Sequence, residues 1–286
     1  MNIGCHVSIA GGIQNAPERA GELGCEAMQI FSRPPQGGKT PALTNEICEE
    51  FKILNLKFKI NEVYIHAPYY INFASANNRI RYGSVRAIRE ELERGSLTGA
   101  KYVMTHLGSA KELGQAESIQ KVVHMLQKTL EGYTGKTKLL LENSAGTGDI
   151  IGDNLGELGE IIKKVNDPAS TRGDRLSTRG GENIAGICLD TQHSFASGYD
   201  WREFEKTIER IDEEIGVENI KLIHANDSQS DCGSSKDRHE HIGKGKIGIE
   251  AFKNIVAFAQ SQNIDMLCET EWPEVKEDIE ILKGLR

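Results

Sequence analysis

Ile220-Lys-Leu-Ile-His224, followed by the loop ANDSQSDCGSSKDRHEHIGKGKIG over residues 225–248, is the stretch on which the fold turns. A short apolar run of strand length ends in a histidine and passes into a polar loop. That loop carries a second group of metal-capable side chains, Asp237, His239 and His241. Divalent metals need several lone-pair donors converging on one point, and His, Asp and Glu supply them without redox chemistry. The question is whether other parts of the chain send partners to the same place.

Similar runs recur along the chain: Ile3 to Val7, Ala27 to Phe31, Val63 to His66, Tyr102 to His106, Leu139 to Glu142, Gly186 to Asp190, Ile220 to His224 and Met266 to Glu269, eight in all. Between them lie apolar residues at helical spacing, such as Val85, Ile88, Leu92, then Leu155, Leu158, Ile161, Val165, then Phe252, Ile255, Val256, Ala259. Strands separated by helices cannot pair as hairpins, so the sheet is parallel. Eight such units in 286 residues predict an α/β fold, a single (β/α)8 TIM barrel over residues 1–286 with its active site at the C-terminal face of the strands. An open doubly wound sheet is the alternative. It would carry a glycine-rich phosphate loop after the first strand, whereas Gly11-Gly12 lacks that spacing and reads as a turn into the first helix. The polar segment NDPASTRGDRLSTRGGEN over 166–183 falls between the fifth helix and the sixth strand, which puts it at the opposite, N-terminal face as a solvated loop.

The residues that end the runs then carry the chemistry. Six consecutive ones are His66, His106, Glu142, Asp190, His224 and Glu269. In a parallel barrel all strand C-termini open on one face, so these side chains converge on one mouth. One such residue alone is ordinarily a hydrogen-bonded rim group or a helix cap, and Asp149 and Asp153 fit that plainer role ahead of the next helix. Six in succession need a common cause, and carboxylates sharing a pocket call for cations between them. His193, three residues after Asp190, and the loop pair Asp237 and His239 bring the donors to nine. That exceeds what one ion can use with a position left for water, so three ions sharing carboxylates are expected. His6 lies in the first strand as a pocket-lining residue, His124 on a helix surface, and His241 beside the ligands or in solvent.

A charged fraction of 27%, a hydrophobic fraction of 38% and a mean hydropathy of −0.43 describe an ordinary globular chain, and no apolar run approaches a membrane span. The start, Met1-Asn2-Ile3-Gly4-Cys5, shows no basic and apolar leader, so a cytoplasmic protein is expected. The six cysteines form no C-x-x-C pair, and a disulfide framework is not expected. The net charge of −8 argues against charge-driven nucleic-acid binding over the whole surface, though cations at a carboxylate cluster would offset it locally.

Through GCHVSIAGG, HAPYYINFAS, THLGS, LENSAGTG, LDTQHSFASGYD and the 224–248 loop, the sequence resembles the endonuclease IV family of zinc-dependent apurinic/apyrimidinic endonucleases almost end to end. The resemblance implies three Zn2+ ions. His66, His106 and Glu142 would hold one. Glu142 would bridge to a second held also by Asp190, His224 and Glu269, and His193, Asp237 and His239 would hold the third. Mn2+ and Fe2+ share these ligand types. Glu142 would be the catalytic residue that positions the attacking hydroxide. The implied partner is damaged double-stranded DNA, cut 5' to abasic sites with 3'-end trimming, by a protein expected to be monomeric and away from membranes.

There are departures from the family pattern. A Pro-Arg-x-Trp-like segment usual after the second strand is replaced by FSRPPQGGKTP, which puts Gln36 where an arginine enters the DNA. Tyr69 still matches the residue that wedges the duplex, and Lys236, Arg238, Lys244 and Lys246 are candidates for phosphate contacts. THLGS stands for the more usual His-Pro-Gly, and Glu269-Thr270-Glu271 for Glu-Thr-Pro. Two other functions compete: a metal-dependent sugar isomerase or epimerase, against which the His193, Asp237, His239 cluster weighs, and a lesion-binding protein that has lost cleavage.

Overall fold

A computed structural model describes residues 1–167 and 184–286, so the polar segment 166–183 falls almost entirely outside the described residues. The chain alternates β1 (Ile3–His6), α1 (Ala16–Glu22), β2 (Ala27–Ile30), α2 (Asn45–Lys57), β3 (Glu62–His66), α3 (Asn78–Thr98), β4 (Tyr102–Thr105), α4 (Gln115–Leu130), β5 (Lys138–Glu142), α5 (Leu155–Asn166) and β6 (Gly186–Asp190). There follow α6 (Thr191–Ala196), α7 (Phe204–Ile215), β7 (Ile220–His224), β8 (Asp227–Ser228), β9 (His239–Glu240), α8 (Ile249–Gln262), β10 (Asp265–Cys268) and α9 (Val275–Leu285). Eight strands close into a parallel barrel in the order β1-β10-β7-β6-β5-β4-β3-β2, while β8 and β9 form a two-stranded antiparallel ladder within the 225–248 loop. This is the TIM barrel that the alternating runs predict, and the open sheet is excluded by its closure.

The helices show why some were legible and others were not. α5 buries Leu155, Leu158, Ile161 and Val165 along one face and is capped by Asn154, whose side chain accepts from Glu157 N–H. Asn154 therefore takes the capping role expected of Asp149 or Asp153; Asp149 instead offers its carbonyl to Ala110 N–H at 2.6 Å. α1 buries only Ala16, Pro17 and Ala20, and α2 exposes Ile53 and Leu56, so neither has the clean apolar stripe that marks a helix in sequence.

The core lies in two layers. The larger packs the helices against the outer face of the barrel. The smaller fills the barrel itself with Ala27, Tyr64, Met104, Leu140, Cys188, Leu222 and Leu267, each leucine contributing on the order of 1.5–3 kcal/mol by burial. β1 adds no side chain to this layer, because a Cβ on Gly4 would lie 1.7 Å from the Ala27 carbonyl oxygen. Below it the Tyr64 hydroxyl donates to Asp265 at 2.6 Å and closes the barrel floor. Among the described residues no helix is long and apolar enough to cross a membrane.

Candidate metal centre

Side chains alternate along a strand, so the residue two beyond each core position also points inward, one layer nearer the mouth. From Gly4, Ala27, Tyr64, Met104, Leu140, Cys188, Leu222 and Leu267 that step gives His6, Gln29, His66, His106, Glu142, Asp190, His224 and Glu269. All eight side chains join one connected cluster. His66 Nε2 and His106 Nε2 lie 2.9 and 3.5 Å from Glu142 Oε2, and His224 Nδ1 lies 2.9 Å from Glu142 Oε1, 3.2 Å from Glu269 Oε2 and 3.9 Å from Asp190 Oδ2. Gln29 joins His6, His224 and Glu269.

Two elements bring in the remaining donors. Asp190 caps α6 by accepting from His193 N–H at 2.7 Å through Oδ1, which leaves Oδ2 for the mouth. The sequence places His193 in a loop; it sits instead on this short helix, and the cap sets its offset from Asp190. The imidazole is turned by its Nδ1 contact with the Asn143 carbonyl at 3.1 Å, so that Nε2 faces Asp237 Oδ1 at 3.5 Å. His239 rides on β9, with Nε2 3.6 Å from Asp237 Oδ1 and 3.7 Å from Asp190 Oδ2.

The 225–248 loop is long and glycine-rich, yet it presents these groups in fixed positions because Asp227 organises it. Its buried carboxylate accepts from the amides of Ser228, Gly243, Gly245, Ile247 and Gly248 at 2.7–3.4 Å. A Cβ on Gly245 would stand 2.5 Å from that carboxylate, so the cage excludes a side chain there. The loop is also tied to its neighbours: Gly233 N–H donates to Phe195 O, Ser235 N–H to Ala196 O, and the Thr147 hydroxyl to Ser235 O.

Charge balance in the cluster is unusual for buried groups. Burial pushes the Glu142 carboxyl up, but the imidazoles of His106, His224 and His66 outweigh it and hold the group well below the ordinary carboxylate range. Burial likewise works against ionised Glu269, which His224 brings down to about 2. Asp237, more than half exposed, is lowered to about 2 by its hydrogen bond with His193. Burial disfavours a charged His193, yet Asp190 and Asp237 raise it to about 10. His6 moves the other way, down to about 4, because burial dominates there.

Two atoms test whether this donor set suits metal ions. Glu142 Oε2 and His239 Nε2 are buried without a hydrogen-bond partner, a costly condition unless a cation meets them. His66 Nε2 is close to that oxygen without the alignment of a hydrogen bond, as two lone pairs aimed at a shared point would be. A tetrahedral ion with bonds of roughly 2.0–2.1 Å spaces its ligand atoms by about 3.3 Å, in the middle of the separations found here. Ligand atoms of His66, His106 and Glu142, of Glu142, Asp190, His224 and Glu269, and of Asp190, His193 and His239 each lie within 4.8 Å of one another. These clusters could hold metal ions, and imidazole with carboxylate is a ligand set that zinc shares with iron and manganese.

Two clefts flank the cluster. One, of about 590 Å3, is lined by Tyr69, Asn72, Ser144, His106, His193 and Asp237. The other, of about 730 Å3, runs past Arg238, His239, His241 and Glu269. Tyr69 is exposed, packs edge-on against Phe31 and stands 6.3 Å from the His66 ring. Gln36 is exposed in the turn beside it, where Tyr69 N–H donates to Pro35 O at 3.0 Å. Lys244 pairs with Glu277 and Lys246 with Asp231, while Lys236 and Arg238 make no ion pair among the described residues. His241 is half-buried and its Nδ1 meets Asp278 at 2.7 Å. All six cysteines are free.

Sequence reasoning missed Gln29, Asn143, Asn226 and Asp227. Gln29 had a signal, since it stands two residues beyond Ala27 in the second run. The Asn226 side-chain amide donates to Asp190 at 2.7 Å, and its oxygen accepts from Glu269 N–H at 2.9 Å; only its place after His224 hints at this.

Comparison with known proteins agrees with this picture. Residues 17–285 match the family model described as a xylose isomerase-like TIM barrel. The crystal structure of endonuclease IV from Thermus thermophilus superposes with a TM-score of 0.84 at 29% identity, covering 100% of this chain and 98% of the other. A D-tagatose 3-epimerase-like protein aligns with a TM-score of 0.73 at 22% identity, a likeness of fold alone. Curated relatives named probable endonuclease 4 are 35% identical in Cenarchaeum symbiosum, across 100% of this chain and 99% of that protein, and 39% identical in Aquifex aeolicus, across 88% and 86%. Within the barrel class, the chain belongs to the endonuclease IV family.

Proposed function

We propose that the protein is a metal-dependent DNA repair endonuclease that hydrolyses the phosphodiester bond 5' to abasic sites in duplex DNA. It leaves a 3'-hydroxyl and a 5'-deoxyribose phosphate, and it also trims blocked 3' ends. The observation that supports this reading is a set of adjoining clusters between two clefts, built from His66, His106, Glu142, Asp190, His224 and Glu269 of the barrel, His193 of α6 and His239 of the 225–248 loop, with Asp237 beside His193 and His239. A sugar isomerase or epimerase site needs one or two ions, so the added His193, Asp237 and His239 cluster favours phosphodiester chemistry over that alternative.

His66, His106 and Glu142 would hold one Zn2+, Glu142 with Asp190, His224 and Glu269 a second, and His193, Asp237 and His239 a third. Bound there, such ions lower the pKa of a water and offset the charge gathering on phosphate oxygens. Glu142, touched by the imidazoles of His66, His106 and His224, would orient the attacking water. Tyr69, exposed at the rim and packed edge-on against Phe31, would enter the duplex, and an abasic nucleotide is the cheapest one to unstack. Lys236 and Arg238 would hold phosphates directly. Lys244 and Lys246 would first have to leave Glu277 and Asp231. Gln36 offers the backbone a hydrogen bond without charge. The closed barrel formed by the described residues supports a single domain over 1–286, and the protein would act as a monomer in the cytoplasm.

Incubating the metal-replete protein with a duplex oligonucleotide containing one abasic analogue, with and without a strong chelator, tests this. Single-strand incision 5' to the lesion, lost on chelation, is expected. Intact substrate alongside interconversion of a ketose would overturn the reading in favour of an epimerase.

A further inference from the structure

Gln29 lies at the inward position of β2, which contributes no charged group to the mouth. It is fully buried and all of its polar atoms are engaged. Its Oε1 lies 2.7 Å from His224 Nε2, and its Nε2 lies 2.6 Å from Glu269 Oε1 and 3.0 Å from His6 Nδ1. The amide can face only one way. Rotated by half a turn, it would set its oxygen against the Glu269 carboxylate, two acceptors in contact, and its NH2 against His224.

That orientation has a consequence for two of the nine donors. An amide oxygen accepts, so His224 must carry a proton on Nε2, and its Nδ1 is left to face Glu142 Oε1 at 2.9 Å and Glu269 Oε2 at 3.2 Å. A nitrogen in front of two carboxylates binds a cation, either a proton or a metal ion. Glu269 is held in the same way: Gln29 takes Oε1, and Oε2 turns toward His224 and Asn226. Outer hydrogen bonds of this kind fix the tautomer and aim of a ligand before the ion arrives.

We propose that Gln29 is a positioning residue of the metal centre, a single carboxamide that sets His224 as an Nδ1 ligand and orients Glu269 toward the same ion. This rests on the metal-dependent reading above, but it concerns metal retention and is tested without DNA. It also assigns a task to the one barrel strand between β1 and β3, which otherwise supplies nothing to the cluster.

The test compares wild-type protein with Gln29→Met, which keeps length and loses both hydrogen-bonding atoms, after loading each with zinc. Zinc content is followed during timed chelation, and the His224 ring nitrogens are followed by 15N NMR. The variant is expected to keep its far-UV circular dichroism and to release the ion held by His224 and Glu269 about 10–100-fold faster. Zinc at the His193, Asp237, His239 cluster should be released at the wild-type rate, and the His224 signals should lose their single Nε2-protonated form. A purely structural role would lower the melting temperature and leave the tautomer and the site-selective loss unchanged. If Gln29→Met does not fold, Gln29→Ala removes the amide without adding bulk and is read in the same way. Wild-type zinc release and an unchanged His224 tautomer in a folded variant overturn this inference alone. Failure of wild-type protein to take up zinc overturns it together with the metal-dependent reading.

Discussion

His193 Nε2 lies 3.5 Å from Asp237 Oδ1, which ties the first turn of α6 to the loop that leaves β7. Two acids therefore face one imidazole, since Asp190 sits on its other side at 4.0 Å. Without a metal ion the ring keeps its proton, because Asp190 and Asp237 outweigh burial and raise it from 6.5 to about 10.

The sign of the pH dependence follows. A raised histidine stabilises the metal-free fold fully below pH 6.5, and that contribution is lost as the pH climbs through about 10. A metal ion needs the bare nitrogen, so uptake near pH 7 must expel a proton, and affinity should rise with pH up to about 10. Calorimetry of zinc binding in two buffers of different ionisation heat measures the protons released. Identical heats in both buffers would contradict the pairing.

Glu142→Gln keeps the shape of the side chain and removes the charge that three imidazoles approach. Incision should fall by more than the roughly 10–100-fold typical of losing an outer partner, while far-UV circular dichroism stays that of the wild type. Steady-state kinetics on an abasic duplex would show it in kcat. Activity within a few-fold of wild type would mean that another group orients the water.

Asp227→Ala would leave a group of loop amides without their acceptor. Destabilisation of about 1–3 kcal/mol is expected from unpaired buried donors, read as a shift in urea midpoint. The loss should fall unevenly, with zinc at the Asp237 and His239 cluster weakened more than zinc held by the barrel. Uniform loss from every site would show that the cage does not govern the loop.

Gln36→Arg adds one cation at the rim beside Tyr69. Binding to abasic duplex should tighten, and the slope of log affinity against log salt should steepen by about 0.9, the value for one extra phosphate contact. A titration at several salt concentrations decides it; an unchanged slope would place residue 36 away from the backbone.

The barrel and the cluster of donors at its mouth were legible because both follow rules of spacing. Apolar runs separated by helical stripes specify a closed parallel sheet, and six of those runs end in His, Asp or Glu. Groups that act through hydrogen bonds left weaker traces. Asp227 looks in sequence like any loop acid, and its cage exists only after residues 243–248 fold back over it. Asn226 and Asn143 are neutral amides whose role depends on which backbone passes nearby. Asp190 shows both limits: its place at a strand end was readable, while its second task as the cap of α6 needed the helix to be seen. α1 was legible only as the helix after the Gly11-Gly12 turn, and α2 left no apolar stripe, because their buried faces are small or interrupted.

Gly4 packs against Ala27, and the donor layer that faces the mouth begins two residues later in each strand. Donor and core positions thus share one alternation, and a single-residue insertion inside any barrel strand would turn its inward mouth residue outward while exposing its core partner. Rim loops that supply no donor carry no such constraint, unlike the 225–248 loop, whose Asp227 cage fixes Asp237 and His239. Those loops can lengthen or be exchanged, and so change what the barrel grips, while the strands beneath them can vary only by substitution.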